Sequence, residues 1–138
     1  MNDYCVVDTD VVSYMFKDNA EAQHYRIHLV DKVPVISFMT LAELRYWALK
    51  SGWGLPRTAK MEAHLQKFTI YSSNNELCQI YAQVIHSKYT KGRVISVPDA
   101  WIAATAIQMG VPLITNNRKD FEGINDLTII SKLDQQPT

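Results

Sequence analysis

Five acidic residues stand where hydrolytic chemistry could use them. Asp8 and Asp10 follow directly on the apolar run Tyr4-Cys5-Val6-Val7, and Glu43 closes Thr40-Leu41-Ala42-Glu43. Asp99 closes Ser96-Val97-Pro98-Asp99, and Asp120 lies a few residues beyond Val111-Pro112-Leu113-Ile114-Thr115. Carboxylates gathered in one cleft repel one another and lose hydration. A hard divalent cation, Mg²⁺ or Mn²⁺, relieves both costs and keeps waters for a substrate phosphate. Most of the acids also have a plain structural reading. Glu43 and Asp99 each fall three residues after a hydroxyl residue, the spacing of a capping box. An acid there stabilises a helix by about 0.3–1 kcal/mol through the dipole alone. Asp10 could cap the short segment Val11–Phe16, and Asp120 could be a solvated loop acid. Asp8 is harder to place this way, because a carboxylate that ends an apolar strand beside a second one is costly unless something binds it.

Whether these acids meet depends on the elements that carry them. Tyr4–Val7 reads as a buried strand, Val33–Ser37 as a second, Phe68–Tyr71 as a third, Val111–Thr115 as a fourth and Leu127–Ile130 as a fifth. Between them the pattern predicts helices over about Ala20–Val30, from the Thr40 capping box to Lys50, from Pro56 to Lys67, and from the Ser73-Asn74-Asn75-Glu76 box to Tyr89. The helix after Ser96 is apolar nearly all round, with Gly110 as its stop and Pro112 just beyond, so it should be buried. Apolar strands alternating with helices imply an α/β fold with a mostly parallel sheet covered on both faces. In such sheets ligands bind outside the carboxyl ends of the strands, where all five acids would then collect.

The chain has 138 residues, 14 Lys+Arg against 14 Asp+Glu, 47% hydrophobic and 20% charged residues, which predicts one globular domain over residues 1–138. This balance excludes a disordered tail and a polybasic arm that grips nucleic acid through charge alone. The longest apolar stretch, Ala100–Met109, falls short of the roughly 20 residues of a membrane span, and Met1-Asn2-Asp3-Tyr4 has no positive leader. Cys5 and Cys78 each sit in an apolar pattern and read as buried free thiols, so the expected location is the cytoplasm.

At this point the residues resemble the PIN-domain family, and within it the VapC-type ribonuclease toxins of prokaryotic toxin–antitoxin modules. Val6-Val7-Asp8-Thr9-Asp10-Val11-Val12 is similar to the family's opening strand with its first catalytic aspartate, Asp8. Thr40-Leu41-Ala42-Glu43-Leu44 resembles the segment of the conserved glutamate, Glu43. Pro98-Asp99-Ala100-Trp101-Ile102-Ala103-Ala104-Thr105-Ala106 is the most specific match and carries the second metal aspartate, Asp99. Leu113-Ile114-Thr115-Asn116-Asn117-Arg118-Lys119-Asp120-Phe121 resembles the closing motif, in which Thr115 and Asn117 support the site and Asp120 completes the cluster. The resemblance implies a PIN-like three-layer α/β/α sandwich with a mostly parallel five-stranded sheet. It further implies an endoribonuclease dependent on Mg²⁺ or Mn²⁺, a homodimer, and a small antitoxin partner. In that reading Asp8, Glu43, Asp99 and Asp120 are catalytic and hold metal, while Asp10 joins Thr115 and Asn117 in support.

Contacts to RNA are expected from Lys88, Lys91, Arg93, Arg118 and Lys119, with His86 and Tyr89 beside them, unless this charge run is only a solvated helix end. Tyr46, Trp47 and Trp53 fit a partner surface or a core equally well. Two rival functions stay open. Val6-Val7-Asp8-Thr9-Asp10 also reads as the strand and D-x-D of a HAD-like phosphatase with Asp8 as nucleophile, although little chain is left for that family's later motifs. A catalytically inactive module that only binds RNA or protein is the other.

Overall fold

The structure, a computed structural model, describes residues 3–132. Strands β1 (Tyr4–Val7), β2 (Val33–Ser37), β3 (Thr69–Tyr71), β4 (Leu113–Ile114) and β5 (Ile129–Ile130) form one sheet in the order β3-β2-β1-β4-β5. Every neighbouring pair is parallel. The helices are α1 (Thr9–Lys17), α2 (Gln23–Leu29), α3 (Phe38–Lys50), α4 (Leu55–Leu65), α5 (Asn75–Thr90), α6 (Val97–Met109) and α7 (Arg118–Phe121), with a 3₁₀ turn at Ala20–Ala22.

Strand pleating divides the apolar side chains between two cores. Val6, Val35 and Leu113 point to one face, where Val84 of α5, Ala100, Ile102, Ala103 and Ala106 of α6, and Phe121 of α7 cover them. Their neighbours Cys5, Val7, Ile36 and Ile114 point to the other, against Val11 and Val12 of α1, Tyr25 of α2, Leu44 of α3, and Met61 and Leu65 of α4. The three-layer α/β/α architecture is therefore present, and the sheet is parallel throughout. Pro34 is tolerated in β2 because β3 begins its pairing only at Val35, so the ladder loses no bond on that side. As its composition demands, α6 is buried along Ala100 and Ile102–Ala106, and it ends at Gly110 with φ of 68°.

Several local expectations change. The helix assigned to a Thr40 cap begins at Phe38, because Ser37 at the end of β2 already accepts the Met39 N–H at 3.0 Å. Asn74, not Ser73, caps α5, accepting the Leu77 N–H at 2.8 Å. The stretch 20–30 divides into the 3₁₀ turn and α2. Thr9–Lys17 forms a full helix, and α7 was not anticipated at all. Cys78 is exposed, while Cys5 is buried. The reason is helical phase: α5 buries Leu77, Val84 and Lys88, and position 78 lies about 100° round from that stripe. Among the described residues no helix is long and apolar enough to cross a membrane.

Candidate active site

From β1 the chain proceeds to β2 on one side, while β4 pairs with β1 on the other, so the strand order reverses at the β1/β4 boundary. This is the position at which parallel sheets open a crevice beyond their carboxyl ends. Asp8 leaves β1 there, and its N–H bonds the carbonyl of Ile114 at the end of β4 at 2.9 Å. Its side chain is 4% exposed. One carboxylate oxygen accepts the Thr9 N–H at 2.7 Å and the other accepts the Thr115 hydroxyl at 2.7 Å. Thr115 Oγ1 in turn accepts the Asn117 N–H at 3.0 Å, which ties the turn after β4 to Asp8.

Asp10 lies one residue into α1 and faces the same turn. Its Oδ2 accepts the Asn117 side-chain amide at 3.1 Å and the Asn116 N–H at 3.3 Å, and its Oδ1 accepts the Val11 N–H. Glu43 enters from α3, where Oε1 accepts the Thr9 hydroxyl at 2.7 Å. Thr9 Oγ1 also lies 3.0 Å from Thr40 Oγ1, so the Thr40 hydroxyl, thought to cap a helix, faces this network instead. Asp99 enters from the first turn of α6, where its N–H bonds the Ser96 hydroxyl at 3.2 Å. The capping reading of Asp99 is thus correct, and it does not remove the side chain from the cleft. Asp120 is exposed on α7, close enough for its charge to act on Asp99.

Electrostatics show what this arrangement lacks. Burial, and then the charges of Asp10 and Asp99, push the Asp8 carboxyl well above the usual range despite the bonds from Thr115 and Thr9. Burial pushes Asp10 up to about 6 against the N–H bonds from Val11 and Asn116. Glu43 and Asp99 are raised as well, each by burial first and then by a neighbouring acid, Asp99 and Asp120 respectively. The charges that weigh most on these groups are one another. The described ion pairs Arg26–Asp18, Arg45–Glu62 and Lys132–Glu21 involve none of them. An all-oxygen, cation-poor cleft of this kind suits a hard divalent ion. Among the described residues no three His, Cys, Asp or Glu side chains close on one point as a ready cage. The donors present are carboxylate oxygens, the type such an ion takes.

Residues 5–127 match the sequence pattern of the family described as PIN domain. The chain belongs to the PIN-domain family. Ribonuclease VapC1 of Haemophilus influenzae strain R2866 is similar to this PIN domain at 29% identity over 124 residues, 88% of this chain and 92% of its own. Ribonuclease VapC2 of Rickettsia felis is 27% identical over 126 residues, 90% of this chain and 94% of its own. A solved structure of VapBC2 from Rickettsia felis bound to a DNA fragment from their promoter superposes with a TM-score of 0.83 at 25% identity, covering 93% of this chain and 98% of that one. With the family known, the D-x-D resemblance to a phosphatase loses its support. Asp10, held by three N–H donors, is also poorly placed as that mechanism's mobile acid.

The cations expected to meet RNA separate into two groups. Lys88 falls on the inward stripe of α5, is 4% exposed, and donates to the Glu122 carbonyl at 3.0 Å. Lys91 donates to the Gly123 carbonyl at 2.7 Å, and Arg118 to the Ile129 carbonyl and the Ser131 hydroxyl. These three brace the segment around α7. Arg93 and Lys119 are exposed, as are His86 and Tyr89. Sequence reasoning missed Thr9, Thr40, Tyr14, Tyr25 and Asn116, which bond within this network.

Proposed function

We propose that this PIN domain is a metal-dependent endoribonuclease that hydrolyses phosphodiester bonds in RNA, and that it acts as the toxin of a toxin–antitoxin pair. The observation that carries the reading is the buried Asp8 carboxyl at the β1/β4 crevice, weighed on by Asp10 and Asp99 rather than by a cation. The ribonuclease names of its relatives and the VapBC structures it superposes on support the same conclusion. Asp8 and Asp99 would hold Mg²⁺ or Mn²⁺ directly. Such an ion, when bound, acidifies water and neutralises charge on the phosphate. Glu43 is set by the Thr9 hydroxyl with its second oxygen turned to no described partner, so it suits the orientation of the attacking water and acceptance of its proton. Asp120 adds a carboxylate on the Asp99 side. Thr115, Asn117 and Asp10 hold the Asp8 geometry. Arg93 and Lys119 are the cations best exposed to meet the RNA backbone.

The partner is a small antitoxin, and the surface we assign to it lies over α3 and α4. A groove of about 480 Å³ there is lined by Leu44, Ala48, Leu49, Trp53 and Met61 among others. Tyr46, Leu49 and Leu55 are exposed nearby, at 64%, 81% and 86%. Trp47 and Trp53 pack against each other with centroids 5.7 Å apart and against the core, whereas Tyr46 is exposed and available to a partner. Homodimerisation and a cytoplasmic location complete the proposal.

The deciding experiment incubates purified protein with total cellular RNA, with Mg²⁺ or Mn²⁺ and with EDTA, and maps the ends produced. Wild type should cut only with the metal. Asp8→Asn and Asp99→Asn should lose at least about a hundredfold in rate while keeping a cooperative unfolding transition. Full cleavage in EDTA overturns the metal mechanism, and RNA left intact under all conditions overturns the nuclease.

A further inference from the structure

A chain of hydrogen bonds runs from the body of the protein to the acidic cleft, and its polarity is fixed at the buried end. Tyr25 is fully buried, and its hydroxyl lies against the Asn116 side chain. So deeply buried a phenol needs an acceptor for its proton, and Asn116 Oδ1 receives it. Were the Asn116 amide turned over, two donors would face each other and the Tyr25 proton would be buried without an acceptor. Asn116 therefore presents Nδ2 to Tyr14, donating to the phenol oxygen at 3.3 Å. The Tyr14 oxygen is thus an acceptor in this chain. Its own hydrogen meets no acceptor among the described residues, although the ring is only half-buried.

Tyr14 stands four residues after Asp10 on α1, so the two share a helix face. The Asn116 side chain it binds belongs to the turn whose N–H groups hold Asp10. The charges of Asp10 and Asp8 act on the phenol and, after burial, help keep it protonated. A proton donor beside that many carboxylates has a particular use. A lysine or arginine in the same place would pair with the acids and compete with a dication for them. A neutral phenol does not compete, and donating chains of this sort strengthen their terminal O–H.

We propose that Tyr14 contacts the substrate, donating its phenolic hydrogen to a non-bridging phosphate oxygen of the RNA strand lying in the Asp8–Asp99 cleft. The contact rests on the nuclease reading given above. Tyr25 and the Asn116 side chain are its positioning groups, since they reach the substrate only through Tyr14.

The test uses the full chain carrying Asp99→Asn, which keeps RNA intact, and the anisotropy of a fluorescein-labelled 12-nucleotide unstructured RNA with Mg²⁺ present. Adding Tyr14→Phe, which removes the hydroxyl alone, should raise Kd about tenfold, the scale of a bond to a charged acceptor. Tyr25→Phe strips Asn116 Oδ1 of its donor. The amide then turns to accept from Tyr14, and the phenol proton is consumed. Tyr25→Phe should therefore weaken binding about as much as Tyr14→Phe, and the double variant should be no weaker than either. Independent, additive losses would instead mark two structural defects and overturn the contact. In the Asp99 protein, Tyr14→Phe should raise KM about tenfold and leave kcat within about twofold, the split of a residue that binds substrate and transition state alike. Unchanged Kd and KM with Tyr14→Phe overturn this contact alone. A wild type that neither cuts nor binds RNA overturns the nuclease reading and this contact with it.

Discussion

Asp8 and Asp10 are held out of water as carboxyls, and that cost sets a measurable pH dependence. Burial raises the folded-state pKa of both Asp8 and Asp10 above the ordinary value of 3.8, in the case of Asp10 to about 6. Between those values the folded chain binds more protons than the unfolded one. Each contribution to stability is therefore complete below about pH 4 and declines as pH rises, that of Asp10 being lost through about 6. His64 works oppositely. Burial lowers its pKa from 6.5, so its contribution is present at neutral pH and lost on acidification below that value. In a His64→Gln background, metal-free protein should show a Tm that falls between about pH 5 and pH 7. Mn²⁺ should restore the Tm at pH 7 and change it little at pH 5, and Asp8→Asn should flatten both responses. A Tm that rises with pH in that background, untouched by Mn²⁺, would refute the account. Asp8 was legible in the sequence because a carboxylate directly after an apolar strand has few other uses. Thr9, Tyr14 and Asn116 were not, since their roles depend on partners 31 to 106 residues away along the chain.

Among the elements, α6 was the easiest to read and does the most to place the site. Its side chains are apolar all round, which requires burial, and burial in turn fixes the direction of its first turn and of Asp99. Ser96 is the joint between helix and site, bonding the Asp99 N–H at 3.2 Å. Ser96→Ala should cost about 1 kcal/mol in denaturant unfolding, as for other lost caps, and should also weaken Mn²⁺ binding measured by calorimetry. Cap loss with unchanged Mn²⁺ affinity would show that Asp99 is positioned by packing alone. The opening of α3 was misread for a related reason. Ser37 and Thr40 both offer a capping hydroxyl, and although the end of β2 at Ser37 was read correctly, nothing in the pattern shows that the helix follows it with no intervening loop. Four-residue α7 has no periodicity to detect; it is secured by Phe121 in the core and, just beyond it, by Lys88 of α5 and Lys91 at that helix's end, which bond the Glu122 and Gly123 carbonyls.

At the scale of the whole molecule, neutrality conceals a division of labour. The acids collect beyond the carboxyl end of the sheet, whereas cations lie over aromatic rings around α3 and α4: Lys17 Nζ stands 4.7 Å from the Trp47 ring and Arg57 4.4 Å from that of Trp53. The alternation of apolar strands and helices was enough to foresee a parallel sheet in three layers. It could not reveal which helices would leave an apolar face uncovered, because that depends on how α3 and α4 pack against each other. Their exposed Leu49 and Leu55 lie on the face assigned to the antitoxin, at the end of α3 remote from Glu43. At such exposed positions Leu49→Glu and Leu55→Glu should change stability by no more than about 0.5 kcal/mol each. A helix laid in the groove would bury both positions and meet an unpaired carboxylate at each. The double variant should therefore cut RNA at the wild-type rate yet bind the proposed antitoxin at least about tenfold more weakly, measured by calorimetry on the purified pair. Equal affinity would move the partner to another face, and lost cleavage would show that this face also serves the catalytic end.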